Sequence, residues 1–199
     1  MSIRPDALPI LVVMWDELEQ RLALEGIRIG IADFGGFRTE ADTNQINAYK
    51  LADYNAYAAA ERAAGRTPLP ISGAWDDGKP RPIAPYGRSF HNYGAARDFT
   101  IVARPAGMSY AEAVRRVQDI AEQDVQFSSG RSFGDDMHLE LPLALEEVAA
   151  WWADYQAASA STSSGGSSGS ASMAGVLAAI ALGVGVFTVI RYAHVLKSL

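Results

Sequence analysis

Residues 159–172 (SASTSSGGSSGSAS) contain only Ser, Ala, Thr and Gly. A segment without a large apolar side chain cannot contribute to a core, so this composition reads as a flexible linker. The folded body must therefore close by residue 158, a length that supports one well-packed domain. At about 5–6 Å × √n, the linker lets that body range roughly 20 Å from the segment beyond it.

The segment beyond it, residues 173–190 (MAGVLAAIALGVGVFTVI), has no charged residue. As a helix it is about 27 Å long, close to the roughly 30 Å of bilayer hydrocarbon. The sequence thus predicts a folded body over 1–158, a linker over 159–172, and a transmembrane helix over 173–196 with a short basic tail to 199. Gly175, Ala179 and Gly183 recur at four-residue spacing, a face suited to helix–helix self-association in a membrane. Arg191 and Lys197 lie beyond the apolar stretch, and the positive-inside tendency places that end in the cytoplasm and the body on the opposite side of the membrane. The first twenty residues do not read as a secretory signal. The apolar run from Leu8 to Trp15 is short and is followed at once by Asp16 and Glu17.

Cysteine is absent, which excludes disulfides, thiolate metal sites and cysteine nucleophiles. All 23 acidic residues lie at or before Asp154, so the body is acidic. It lacks the basic cluster a nucleic-acid partner requires. Apolar spacing predicts a helix over 9–24, a strand over 27–34, a helix over 39–64 and a Pro/Gly-rich loop over 65–88. Further on it predicts a strand over 96–102, a helix over 110–123, short strands over 125–128 and 137–141, and a helix over 143–155. Helices and strands are segregated rather than strictly alternating, which is an α+β order.

Without cysteine, any metal must be held by His, Asp or Glu. His91, Asp98 and His138 form a candidate set, with Gly94 allowing the tight turn that lets the first two converge. Three such ligands leave tetrahedral zinc one open position, as in catalytic sites. Taken alone this spacing is a weak signal, because a lone histidine is more often a hydrogen-bonded polar residue. Two carboxylates precede His138. In a regular strand reaching back to residue 136, Asp136 shares its face and Asp135 points away. A turn or bulge at Gly134-Asp135, which glycine makes cheap, would interrupt that alternation and leave both carboxylates open. Glu140 also shares the face of His138, either as its hydrogen-bond partner or as a surface acid.

The stretch SFHNYGAARDF (89–99) resembles the S-x-H-x-x-G-x-A-x-D signature of the zinc peptidases that include D-alanyl-D-alanine carboxypeptidases and dipeptidases and the L-alanyl-D-glutamate endopeptidases of phage lysis. GFRTEADTNQ (36–45), Gly65-Arg66-Thr67 and the DDMH of 135–138 are similar to the same family's remaining blocks, in the same order. The resemblance implies an α+β fold with a small, mostly antiparallel sheet flanked by helices, as in the hedgehog-like fold. It implies one catalytic Zn2+ held by His91, Asp98 and His138, with Asp135 as general base and Asp136 as the alternative. Arg38 would bind a substrate carboxylate or the developing oxyanion, a task that suits its bidentate fork. Ser89 and Gln45 would contact substrate, although Gln45 fits a solvated helical face equally well. The implied activity is hydrolysis of peptidoglycan stem peptides, and together with the predicted span it implies a location in a bacterial inner membrane or the membrane of a virion, with the body on the cell-wall side. The GRT segment points to the endolysin-like L-alanyl-D-glutamate endopeptidases of bacteriophages, with D-alanyl-D-alanine carboxypeptidase as the alternative. A different class, a non-catalytic membrane-tethered module that binds wall peptides or a structural virion protein, is the competing reading. The segment between Gln45 and Gly65 is longer than the family pattern, which bears on one wall of the cleft.

Overall fold

The computed structural model describes residues 7–71 and 82–164. The first helix, α1 (Pro9–Leu24), starts with proline at its N-terminus, where the missing N–H costs nothing. It buries Leu11, Met14, Trp15, Leu18 and Leu22, a stripe at helical spacing. Strand β1 (Arg28–Ile31) comes next. The sequence predicts a strand running on to residue 34, but the chain turns away after Ile31. Phe34 takes a positive φ of 56°, and a Cβ on Gly35 would sit 2.6 Å from the carbonyl oxygen of Asp98. Only glycine allows this bend to press against the neighbouring strand.

Helix α2 (Glu40–Ala63) is capped by Thr39, whose side chain accepts from Asp42 N while the Asp42 carboxylate accepts from Thr39 N. Few of its residues are buried, chiefly Thr43, Ile46 and Ala58. Strand β2 (Ala96–Ala103) pairs antiparallel with β1. Helix α3 (Tyr110–Ile120) opens on a second capping box, between Ser109 and Glu112. A wider turn, Ala121–Val125, extends it, and Gln126 then adopts φ 72°. This left-handed residue ends the helical path and displaces the next strand. Strand β3 is Ser128–Ser129, later than the predicted 125–128. Strand β4 (His138–Glu140) is shorter than the predicted 137–141. Its flanks still bond to the segment that carries β2, through Phe99 N to Met137 O and Leu141 N to Ala95 O.

The four strands form one antiparallel sheet in the order β1-β2-β4-β3, which agrees with the expected small antiparallel sheet with helices. Its core-facing residues include Phe99 and Leu139, both fully buried. The buried Arg97 guanidinium lies 4.9 Å over the Trp15 ring of α1, which marks the helix-covered face. Side chains alternate along a strand, so Asp98, His138 and Glu140 belong to the opposite face.

The last helix, α4 (Leu145–Ser164), starts later than predicted, after Pro142, with Glu147 accepting from Ala144 N. It also continues to Ser164, into the stretch whose composition reads as linker. Serine and alanine do not forbid helix, and Ser159 Oγ donates back to Tyr155 O. The chain divides between Val148 and Ala149, inside α4, into two units. His91, Asp98, His138 and the other candidate site residues all belong to the first. Among the described residues, no helix is long and apolar enough to cross a membrane. The predicted span over 173–196, its Gly175/Ala179/Gly183 face and most of the linker lie outside the described residues.

Candidate metal centre

A single short 3-10 turn, Phe90–Tyr93, presents His91. Ser89 caps it, its Oγ accepting from His91 N at 3.4 Å. Gly94 ends it in the left-handed region at φ 60°. The fully buried Ala95 and Ala96 then lead into β2. Asp98 lies on β2 directly opposite His138 on β4. The turn thus brings His91 down onto a pair of side chains that the sheet register already holds side by side.

Three atoms form a tight triangle. His91 Nε2 and Asp98 Oδ1 are 3.1 Å apart, His138 Nδ1 and Asp98 Oδ1 2.9 Å, and His91 Nε2 and His138 Nδ1 3.2 Å. An ion coordinated tetrahedrally at about 2.0–2.1 Å separates its ligands by about 3.3–3.4 Å. The triangle is within a few tenths of an ångström of that, and the three residues are able to hold a metal ion.

Each histidine is oriented by its far nitrogen. His91 Nδ1 lies 2.9 Å from Gly36 O, and His138 Nε2 lies 2.9 Å from Glu140 Oε2. Both partners accept, so each ring keeps a proton on the far nitrogen, and the near nitrogen is the one that would offer its lone pair to a metal in the triangle. Of the two readings for Glu140, the partner of His138 is the one the structure contains.

The electrostatics follow from this packing. Burial pushes the His91 pKa down, against the pull of Asp98. Burial also opposes ionisation of Asp98, yet hydrogen bonds to His138 and His91 and the charge of Arg38 outweigh it and hold the carboxyl far below its usual range. For His138, burial is overcome by Asp98 and Glu140, which raise its pKa to about 9. In the metal-free protein the cluster therefore stores one proton on His138.

Arg38 lies at the edge of the triangle. Its Nη2 pairs with Asp98 Oδ2, and its Nε donates to Phe34 O at 2.7 Å. Its backbone N–H also donates to His91 O at 3.0 Å. Arg38 thereby fixes the oxygen of Asp98 that lies outside the triangle. Ser89 serves the local turn as a cap. Gln45 is exposed on α2 and bonds to Tyr49 OH at 2.8 Å; none of its described bonds reaches the triangle.

Asp135 is exposed and follows a 3-10 turn, Gly130–Phe133, that Gly134 ends at φ 79°. This is the turn that the Asp135 assignment requires. β4 begins only at His138, so regular alternation does not extend to Asp136, and the strand-face argument for Asp136 loses its basis. Gly130 makes the turn compact: a Cβ there would lie 2.1 Å from Asp135 O and 2.9 Å from His138 Cβ.

Sequence reasoning does not find Asn92, which is buried at 1% exposure. Its Nδ2 donates to Arg38 O and Thr43 Oγ1, and its Oδ1 accepts from Gly87 N. It ties the His91 turn to the start of α2. Phe133 likewise leaves no signal in the sequence. Its ring sits edge-on to His138 at 5.6 Å, and the residue is 61% exposed.

No protein-family model matches the chain, and no curated protein sequence matches it. Among solved structures, a point variant of the vancomycin-resistance D,D-pentapeptidase VanY from a VanB-type cassette, in complex with Zn(II), aligns with a TM-score of 0.48 at 18% identity. The alignment covers 74% of this chain and 78% of that one. VanYB in complex with D-alanine-D-alanine aligns with a TM-score of 0.47 at 18% identity, over 74% and 77% of the two chains.

Proposed function

We propose that this protein is a zinc-dependent peptidase acting on peptidoglycan stem peptides, and that the bond it cleaves is L-alanyl-D-glutamate. The observation that carries the reading is the triangle of His91 Nε2, Asp98 Oδ1 and His138 Nδ1, whose rings are both locked from behind. Zinc bound there would polarise the scissile carbonyl and make water a competent nucleophile near neutral pH. Asp135 accepts a proton from the attacking water and returns it to the departing amine. Arg38 holds Asp98 in place through its second oxygen, and places a fixed positive charge beside the reacting carbonyl. Phe133 gives substrate an apolar surface next to His138. The sequence motifs of 36–45, 65–67, 89–99 and 135–138 support the substrate class, and the GRT segment supports the endopeptidase bond. The proposal includes a membrane tether through residues 173–190.

The test is a synthetic pentapeptide stem offered to the zinc-loaded protein, with products identified by mass spectrometry. Free L-alanine together with a tetrapeptide beginning at D-glutamate supports the proposal. Free D-alanine moves the activity to the carboxypeptidase. Intact substrate with folded, zinc-loaded protein overturns both and leaves the wall-binding module.

A further inference from the structure

Helix α3 carries its buried face on Ala113, Val114, Val117, Ile120 and Ala121, and in the middle of that stripe stands a glutamine. Gln118 is 1% exposed. A buried amide costs free energy unless both of its ends are paired, and here both are. Its Nε2 donates to Asp136 O at 2.7 Å, and its Oε1 accepts from Arg131 Nε at 2.7 Å. The two partners lie on either side of Asp135, Arg131 within the 3-10 turn before it and Asp136 directly after it. Arg131 reaches further along the same helix, its Nη2 donating to Arg115 O at 2.8 Å and to Asp119 Oδ1 at 2.7 Å. Ser129, just before the turn, bonds to Glu122. Both ends of the 129–136 segment are thus fastened to one helix and its extension, while Phe133 and Asp135 at its crest face solvent.

We propose that Gln118 is a positioning residue for the Asp135 turn. Its amide is a bracket that sets the height of Asp135 relative to His138, and Arg131 is the bracket's outer arm. The bracket deepens the proposed peptidase function and rests on it for the role of Asp135. None of the bracket residues is among the three candidate ligands, so the bracket acts on the proton-transfer carboxylate rather than on the metal. Misplacing a reacting group by about 1 Å can cost about a hundredfold in rate.

Two variants of the full-length, zinc-loaded protein test this. Gln118→Met removes both bonds with little change in volume. Gln118→Glu keeps an acceptor for Arg131 but removes the donor to Asp136 O. Both should lower kcat on stem peptide about tenfold to a hundredfold, with KM within about twofold and zinc affinity unchanged. A residue that merely stabilised the fold would leave kcat per folded molecule intact, and Gln118→Glu would be rescued by its retained Arg131 contact. Amide hydrogen exchange over 130–136 should rise in both variants, a readout that does not depend on turnover. If the parent protein hydrolyses nothing, the functional reading fails, and hydrogen exchange still decides the bracket. Wild-type kcat in Gln118→Glu, or unchanged exchange over 130–136, overturns it. If Gln118→Met does not fold, Gln118→Glu alone carries the same two readouts.

Discussion

Replacing Gly130 by alanine should damage this protein far beyond the usual cost of one methyl group. The new Cβ would lie 2.1 Å from Asp135 O, 2.9 Å from Asp135 C and 2.9 Å from His138 Cβ. A carbon and a carbonyl oxygen tolerate about 3.3 Å, so the Asp135 carbonyl must retreat by about 1.2 Å. That carbonyl accepts from His138 N, and Asp135 N donates to Gly130 O, so the retreat breaks or stretches both bonds. Overpacking costs about 1–3 kcal/mol and each lost backbone bond about 1 kcal/mol, which places the total near 3 kcal/mol. For a domain of this size that is roughly 6–12 °C in Tm. The same displacement moves Asp135 and crowds His138, so hydrolysis should fall about a hundredfold and zinc should bind more weakly. The assay is thermal unfolding with parallel zinc titration, using Gly107→Ala for comparison. Gly107 has φ +89° with nothing near its Cβ position, so its replacement costs backbone strain of about 1–3 kcal/mol and leaves the site alone. A Gly130→Ala protein matching Gly107→Ala in zinc affinity and turnover would refute the packed turn.

Three further outcomes are expected. Glu140→Gln removes the charged acceptor behind His138 and should weaken zinc about tenfold to a hundredfold, measured by competition with a chelating dye; unchanged affinity would remove Glu140 from the site. The metal-free protein should lose stability as pH rises. His138 sits at about 9 when folded against an ordinary 6.5, so its contribution is complete below about 6.5 and is lost through about 9, with a slope up to about 1.4 kcal/mol per pH unit. Urea melts of chelator-treated protein across that window test this, and a curve that rises with pH would contradict the Asp98–His138–Glu140 cluster. Arg38→Lys cannot hold Asp98 and Phe34 O together, and should lower kcat/KM about tenfold or more; parity with the parent would make the fork dispensable.

The sequence is most legible where one physical rule acts alone. The Leu11–Leu22 stripe marks the first helix and its buried face without help from the rest of the chain. The His91–Gly94–Asp98 segment is only a weak signal by its spacing, and becomes legible through the resemblance of residues 89–99 to a family signature. Legibility fails where distant backbone decides the outcome. β1 stops at Ile31 because Gly35 must press against Asp98 O, a contact between residues far apart in sequence. The α3 extension and Gln126 delay β3, and nothing in the apolar spacing there signals a wider turn. The sequence suggests a substrate contact for Arg38, but its Asp98 partner becomes visible only when β2 is placed beside residues 34–38. Gln118 does leave a trace, as a polar residue inside an apolar helical stripe. Its partners on the Asp135 turn do not.

The most direct test of the central claim is the rate of stem-peptide hydrolysis by chelator-stripped, full-length protein as Zn(II) is added in fractions of an equivalent. A site built from His91, Asp98 and His138 predicts no hydrolysis without metal and a linear rise that breaks sharply at one equivalent. Hydrolysis that ignores zinc, or folded protein that takes up zinc and cleaves nothing, would contradict the account.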